Sequence, residues 1–590
     1  LIGRKNRDYS LPCWYALNGL AIISIQYLLK PWTSFYLRAV FEFDYHKILE
    51  ELVKSPLIKN EVGQWETVSP LLFSSGLFLF LFIGFYAVYQ LLMRHDRLRI
   101  AWVTLFSLYF YFKCAGIFWL LHVVIVVVDF SLARWMEQAK TKAGRTAMLV
   151  LSLVVNLGML VYFKYNLYSE MFCEALDKPY DPRYLFLPAG ISFFTFQSLS
   201  YTIDVYRGQL KALNNMLDYA FYVTFFPQMV AGPIVRAADF LPQIRVPVFV
   251  TREEFGRGFF LICTGLFKKA VISDYISVNF VDRVFESPLQ YTGLENLFAV
   301  YGYAMQIYCD FSGYSDMAIG LALLMGFKFP INFDSPYQST SITEFWRRWH
   351  ISLSTWLRDY LYIPMGGNRG QSWATWLVTG AFFAFTFGYA ALRLMSGEWW
   401  WMGLWFGVFL VVVVPSLWKR DQVGLATNFN LMATMLLGGL WHGAASRFII
   451  WGALHGIALA MEKWIKGFFP SGGGPIRKAF AALWTFHFVC FCWIFFRAEG
   501  MDKVGQMLHQ IAYEFRPEFF ADFFTGYSAV LFWMFIGFGL HFLPKSAELS
   551  AQKMATALPL VGKAVLLTAI IALVMQVKSS EVQAFIYFQF

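Results

Sequence analysis

The feature that most constrains this chain is the recurrence of apolar blocks of roughly 16–25 residues, the length a helix needs to cross a hydrocarbon core of about 30 Å. About fifteen apolar blocks, several of them too short to span, are spread over 590 residues. A soluble fold cannot bury so much, because its surface-to-volume ratio leaves apolar residues stranded in water. Hydrophobic residues make up 58% of the chain, aromatic residues 20% and charged residues 15%. Lipid takes up that excess, so the chain reads as an all-α polytopic membrane protein. The net charge of +10 is confined to short loops between apolar blocks, as membrane topology requires. It therefore gives no reason to expect a nucleic-acid partner.

The blocks also set the topology. Trp14–Leu29 follows Arg4, Lys5 and Arg7, has no small-residue cleavage site, and reads as an anchor. Lys30–Thr67 is a mixed-charge segment in which an amphipathic helix is expected near Tyr45–Leu57. Leu71–Met93, Ile100–Phe112, Ile117–Arg134 and Ala147–Phe163 follow. Basic residues cluster at Arg94–Arg99 and Lys140–Arg145, which places these loops and the N-terminus in the cytoplasm. Lys30–Thr67 and Lys164–Arg183 then lie outside. Later blocks are shorter and broken by Pro and Gly, as at Pro188, Gly190 and Pro233. Irregular backbone at membrane depth is tolerated only where it lines a protein cavity, so a tunnel or buried site is expected. The absence of an internal repeat argues against a transporter built on inverted halves.

Four stretches carry ionisable or reactive groups at membrane depth, where they are functional candidates by default. In Thr343–Arg369, a single helix places Arg347, His350, Ser354 and Arg358 on one face. This is either an interfacial helix with snorkelling arginines or, with Arg348, the wall of a site for an anionic thioester. In Gly438–Gly456, His442 sits among Gly438, Gly439 and Gly443, which bring backbones close or leave room for a substrate. Taken alone, His442 reads first as a hydrogen-bonded core residue, and a neutral imidazole is also what a general base requires. His455 lies within a GxxxG packing pattern. In Tyr308–Gly320, Asp310 and Asp316 suit pairing with Arg347 or Arg348, or fixing a histidine tautomer. In the tail FIYFQF, Phe585–Phe590, Tyr587 belongs either to an interfacial aromatic belt or to a segment that folds back into an apolar cavity. A phenol there becomes a nucleophile once a base takes its proton. No group has defensible metal-ligand spacing, so no metal is expected. The seven cysteines, an odd number, form no disulfide framework.

Together these motifs resemble the membrane-bound O-acyltransferase (MBOAT) family. The branch is the bacterial one that O-acetylates alginate and other exopolysaccharides, with a relative that transfers D-alanine to teichoic acids. The matching stretches are LPAGISFFTFQSLSYTIDVYRG at Leu187–Gly208, FFPQMVAGPIVR at Phe225–Arg236, YCDFSGYSDMAIG at Tyr308–Gly320, the arginine–histidine segment, and LWHGAASRFIIWGALHG. They fall in family order. The resemblance implies a funnel of transmembrane and re-entrant helices around a central tunnel. It divides the chain into 1–69, an added N-terminal helix and outer segment; 70–578, the acyltransferase core; and 579–590, the aromatic tail.

It further implies His442 as the catalytic histidine, His350 as its support and Tyr587 as an acyl carrier. Arg347, Arg348, Arg358, Trp441, Asp310 and Asp316 become substrate-binding candidates. No tightly bound cofactor is expected. The donor is a cytoplasmic acyl thioester, acetyl-CoA or an acyl-carrier protein, with acetyl the first choice of acyl group. The expected partners are that donor, the lipid bilayer and an extracytoplasmic acyltransferase, and the expected location is the bacterial cytoplasmic (inner) membrane. Rival readings are a transporter or channel, and an MBOAT acylating a lipid, teichoic acid or protein.

Overall fold

A computed structural model describes residues 70–165, 187–370, 422–466 and 474–577, with short stretches or single positions elsewhere. The chain divides into two units, Leu1–Ser55 and Pro56–Phe590, and everything below concerns the second. Trp14–Leu29 and the tail 579–590, with Tyr587, lie outside the described residues. So does most of Tyr45–Leu57. Leu57 itself opens a short antiparallel ribbon, β1 Leu57–Lys59 paired with β2 Trp65–Thr67, with Leu57 opposite Thr67. Otherwise the described elements are helices, as the apolar blocks predict.

The first bundle is α1 Gly76–Leu92, α2 Asp96–Ala115, α3 Trp119–Gln138, α4 Lys142–Lys164 and α5 Ile191–Arg207. Helix α4 shows how lipid inverts the usual pattern. Leu151, Val154, Leu157 and Val161 face outward, while Ser152, Asn156, Leu160 and Lys164, spaced four apart, are buried. A helix in water would reverse these faces. The buried polar stripe has partners within the bundle. Asp129 of α3 accepts from Ser152 Oγ at 2.7 Å and Asn156 Nδ2 at 2.8 Å, and also from Ser198 Oγ of α5. Helix α5 is buried all round except at Ile203, Tyr206 and Arg207.

Short pieces, α6 Met216–Thr224, α7 Phe226–Met229 and α8 Ala237–Ile244, lead to a central pair. These are α9 Arg252–Leu266 and α10 Gly293–Leu324, each started by a Thr/Glu capping box, Thr251 with Glu254 and Thr292 with Glu295. They cross through glycines. A Cβ on Gly265 would lie 2.5 Å from the Gly313 carbonyl oxygen, and one on Gly320 would lie 2.6 Å from that of Gly258. Both glycine pairs are seven residues apart on their helices, so the close approach repeats along the crossing. Helix α9 then runs into a π-helical turn, Phe267–Ser273.

The remaining helices that bear on the site are α11 Ile342–Arg348, α12 Ile351–Leu357, α13 Gln422–His442, α14 Ser446–Lys466 and α15 Pro475–Arg497. The C-terminal helices α16 Ser528–Phe542 and α17 Leu560–Val577 follow. Among the described residues four stretches are long and apolar enough to cross a membrane, and five if the pair bent by 85° before α16 counts as one span. The short pieces α6 and α7 are buried inside, as irregular backbone at membrane depth requires.

Candidate active site

His442 is the last residue of α13, and α14 turns back four residues later. The hairpin is as tight as its glycines allow. A Cβ on Gly439 would sit 2.3 Å from the Phe448 carbonyl oxygen, one on Gly452 would sit 2.4 Å from that of Met435, and one on Gly443 would sit 2.1 Å from the Phe448 ring. These glycines serve helix–helix contact rather than a space for substrate. The final carbonyls of a helix lack intrahelical partners. Here α4 supplies them: Lys164 Nζ donates to the Trp441 carbonyl and the Tyr165 hydroxyl to that of Leu440. The His442 ring, 4% exposed as a residue, is met edge-on by Trp441 at 4.9 Å, Trp451 at 5.0 Å and Phe496 at 5.0 Å. Arg447 fixes Phe496 by donating to its carbonyl at 2.9 Å.

His350 sits where the arginine–histidine segment breaks. The single helix expected there is two helices, α11 and α12, and His350 joins them with φ of 43°, a left-handed backbone that non-glycine residues seldom adopt. The break removes the common face on which Arg347, His350, Ser354 and Arg358 were expected. His350 is 1% exposed, whereas Arg347 and Arg358 are on the surface. The ring lies against Phe311 at 4.5 Å and, more distantly, Trp441 at 6.1 Å. Nδ1 lies 3.2 Å from Asn332 Oδ1.

One indole, Trp441, therefore connects the two histidines that stand 92 positions apart in the sequence. Phe193 and Phe196 of α5 cover it at 5.4 and 5.5 Å, and Lys164 Nζ lies 5.9 Å from its ring centre. The aromatic run continues through Trp451 to His455 at 4.9 Å, whose Nδ1 accepts from Trp346 Nε1 at 3.3 Å. Because His442 and His455 belong to different helices of a hairpin, both reach Trp451.

The charged candidates scatter. Arg348 pairs with Glu344 at 2.8 Å and donates to the Asp334 carbonyl. Arg358 pairs with Asp359 at 2.6 Å, and Arg236 binds the same carboxylate at 2.7 Å. Arg207 donates to the Asp359 carbonyl and, like Arg236, packs on Tyr360. Burial would raise the Asp359 pKa, but hydrogen bonds from Arg358 and Arg236 hold it below the usual carboxylate range. Asp310 and Asp316 meet lysines, not Arg347 or Arg348: Lys269–Asp310 and Lys268–Asp316 are each 2.7 Å. Lys269 also binds Asp274 at 2.7 Å. Sequence reasoning missed Asn332, Lys164, Arg207 and Arg236. Each stands in a polar loop or at a block's end, where no periodicity marks it.

A buried histidine pair around a tryptophan, reached through interior helices of a multi-pass membrane protein, is the architecture the sequence motifs point to, and the chain belongs to the membrane-bound O-acyltransferase family. The family model matches residues 189–397. The chain is 37% identical over 446 residues to a protein of Pseudomonas aeruginosa described as "Probable alginate O-acetylase AlgI", covering 74% of each chain. It is 32% identical over 469 residues to a peptidoglycan O-acetyltransferase of Helicobacter pylori, covering 74% of this chain and 79% of that one. A teichoic acid D-alanyltransferase of Bacillus subtilis is 28% identical over 326 residues, 54% of this chain and 70% of that one. The protein is an O-acyltransferase of the membrane.

Proposed function

We propose that this enzyme moves an acetyl group from a cytoplasmic thioester, acetyl-CoA or an acyl-carrier protein, to an extracytoplasmic polysaccharide. The observation that carries the reading is the placement of His350 and His442 against one buried indole. His442 acts as general base on an acceptor hydroxyl, and His350 assists. The hydroxyl oxygen forms a C–O bond to the thioester carbonyl carbon, the C–S bond breaks, and the departing thiolate takes up the proton held by the base. General-base help of this kind is worth about 10²–10⁴-fold. The similarity to O-acetylases that the names of two relatives record supports acetyl as the group.

The donor's anionic end is assigned to the basic mouth formed by Arg358 with Arg236 and Arg207. Arg145 donates to the Tyr206 carbonyl beside Arg207, which ties this mouth to the Lys140–Arg145 loop. That loop is cytoplasmic by the positive-inside rule, in a bacterial inner membrane with the N-terminus inside. Trp441 lines the acyl path. Tyr587 is the proposed intermediate acceptor, forming a tyrosyl ester that an extracytoplasmic acyltransferase unloads. Purified enzyme given acetyl-CoA is expected to consume the thioester and, after trapping, to carry an acetyl adduct on its C-terminal peptide. Full polymer acetylation by Tyr587→Phe would remove the carrier and leave direct transfer to the polymer hydroxyl.

A further inference from the structure

We propose that Asn332 is a positioning residue that locks His350 in its Nδ1–H tautomer, so that Nε2 keeps its lone pair free as an acceptor within the transfer site; this rests on the reading of His350 as part of that site. Asn332 Oδ1 accepts from the Ser352 backbone N–H at 3.2 Å and from the Ser352 hydroxyl at 2.9 Å. A backbone N–H needs an acceptor, and an amide NH₂ is not one, so the amide's orientation follows from chemistry. The other end agrees, since Nδ2 donates to Ser315 Oγ of α10 at 3.1 Å. His350 Nδ1, 3.2 Å from that same oxygen, must therefore be the donor. A neutral imidazole has one N–H, which leaves Nε2 unprotonated.

Nε2 is buried and has no hydrogen-bond partner among the described residues. A buried lone pair left unmatched costs free energy unless something fills the place. A hydrogen-bond donor of a bound substrate does so. Asn332 holds the turn as well as the ring, because its backbone carbonyl accepts from the Ile351 N–H at 2.9 Å, just past the left-handed His350. His442 and Lys164 both contact Trp441, the indole that also meets the His350 ring. The hydrogen bond of the His350 side chain is to an amide, not a carboxylate, so its charge is set from one place.

The test uses the full-length protein with acetyl-CoA as probe. Nitrogen NMR of histidine-labelled enzyme, with His350→Ala to assign the signal, is expected to show His350 as the Nδ1–H tautomer; an Nε2–H tautomer overturns the proposal. Asn332→Asp keeps an oxygen for Ser352 and His350 but adds a charge that favours imidazolium. The acid limb of kcat is then expected to move up by about one pH unit. Asn332→Ala is expected to lower kcat about 10²-fold or more with KM for acetyl-CoA little changed. An acid limb that stays in place in Asn332→Asp, or a folded Asn332→Ala with wild-type kcat, overturns it. His350→Ala separates the two levels. Full activity there removes the reading of His350 itself, whereas an inactive His350→Ala beside an unchanged Asn332→Asp profile removes only the tautomer role.

Discussion

At the scale of residues, the site is a set of buried polar atoms whose partners come from distant parts of the chain. Lys164 shows the pattern. It ends an apolar block and so reads from sequence as the start of an outside loop, yet it is 5% exposed and donates to the Trp441 carbonyl, 277 positions away. Its amine and the Tyr165 hydroxyl close the open end of α13 and hold Trp441 and His442 in place. Lys164→Met removes a donor and leaves a buried carbonyl unmatched, at a cost of about 1–3 kcal/mol. The expected result is a lower melting temperature in detergent together with lower acyl transfer, because the loosened residues are those proposed to carry the transfer step. Transfer at the wild-type rate would show that the cap has no bearing on chemistry. His442 and His350 were legible because they sit in recognisable motifs. Asn332 was not, because a single asparagine in a polar loop has no spacing signal and its meaning lies wholly in what it touches.

At the scale of elements, small residues decide which helices meet. The crossing of α9 and α10 depends on Gly258, Gly265, Gly313 and Gly320, and the α13–α14 hairpin on Gly439, Gly443 and Gly452. Gly265→Ala places a methyl group 2.5 Å from the Gly313 carbonyl oxygen, a backbone atom with little freedom to give way. Overpacking of this kind costs about 1–3 kcal/mol. Gly84→Ala, in α1, meets nothing within 4 Å and serves as the control. Thermal melts of the two purified variants are expected to show a clear loss for Gly265→Ala and a neutral or slightly positive effect for Gly84→Ala, since alanine favours helix. Apolar block lengths predicted the long helices well, because lipid imposes length directly. They failed at His350, where an amphipathic pattern continuous across Thr343–Arg369 is interrupted by one left-handed residue. Periodicity carries no information about a φ angle supported by a distant asparagine.

At the scale of the whole molecule, the described membrane-length helices turn apolar faces outward and keep specific polar groups inside. The outward faces of α3, α4 and α17 are apolar, while Asp129, Asn156, Lys164, His350 and His442 are inside. This inversion gives an O-acyltransferase a buried polar interior in which a transfer step can be shielded from water. The membrane class and the family could be read from sequence, since each rests on composition or on a motif, and the same motifs marked the two histidines as candidates. The partners of Arg348, Arg358, Asp310 and Asp316 could not, because side chains of one charge are interchangeable until the fold selects among them.

Acyl transfer is proposed to run through His442. The most direct measurement is the ester content of the cell's extracytoplasmic polysaccharides when the chromosomal gene is replaced by His442→Ala at equal protein level. The account predicts ester reduced to that of a gene deletion. Ester at the wild-type level, with the variant protein present in the membrane, would contradict it.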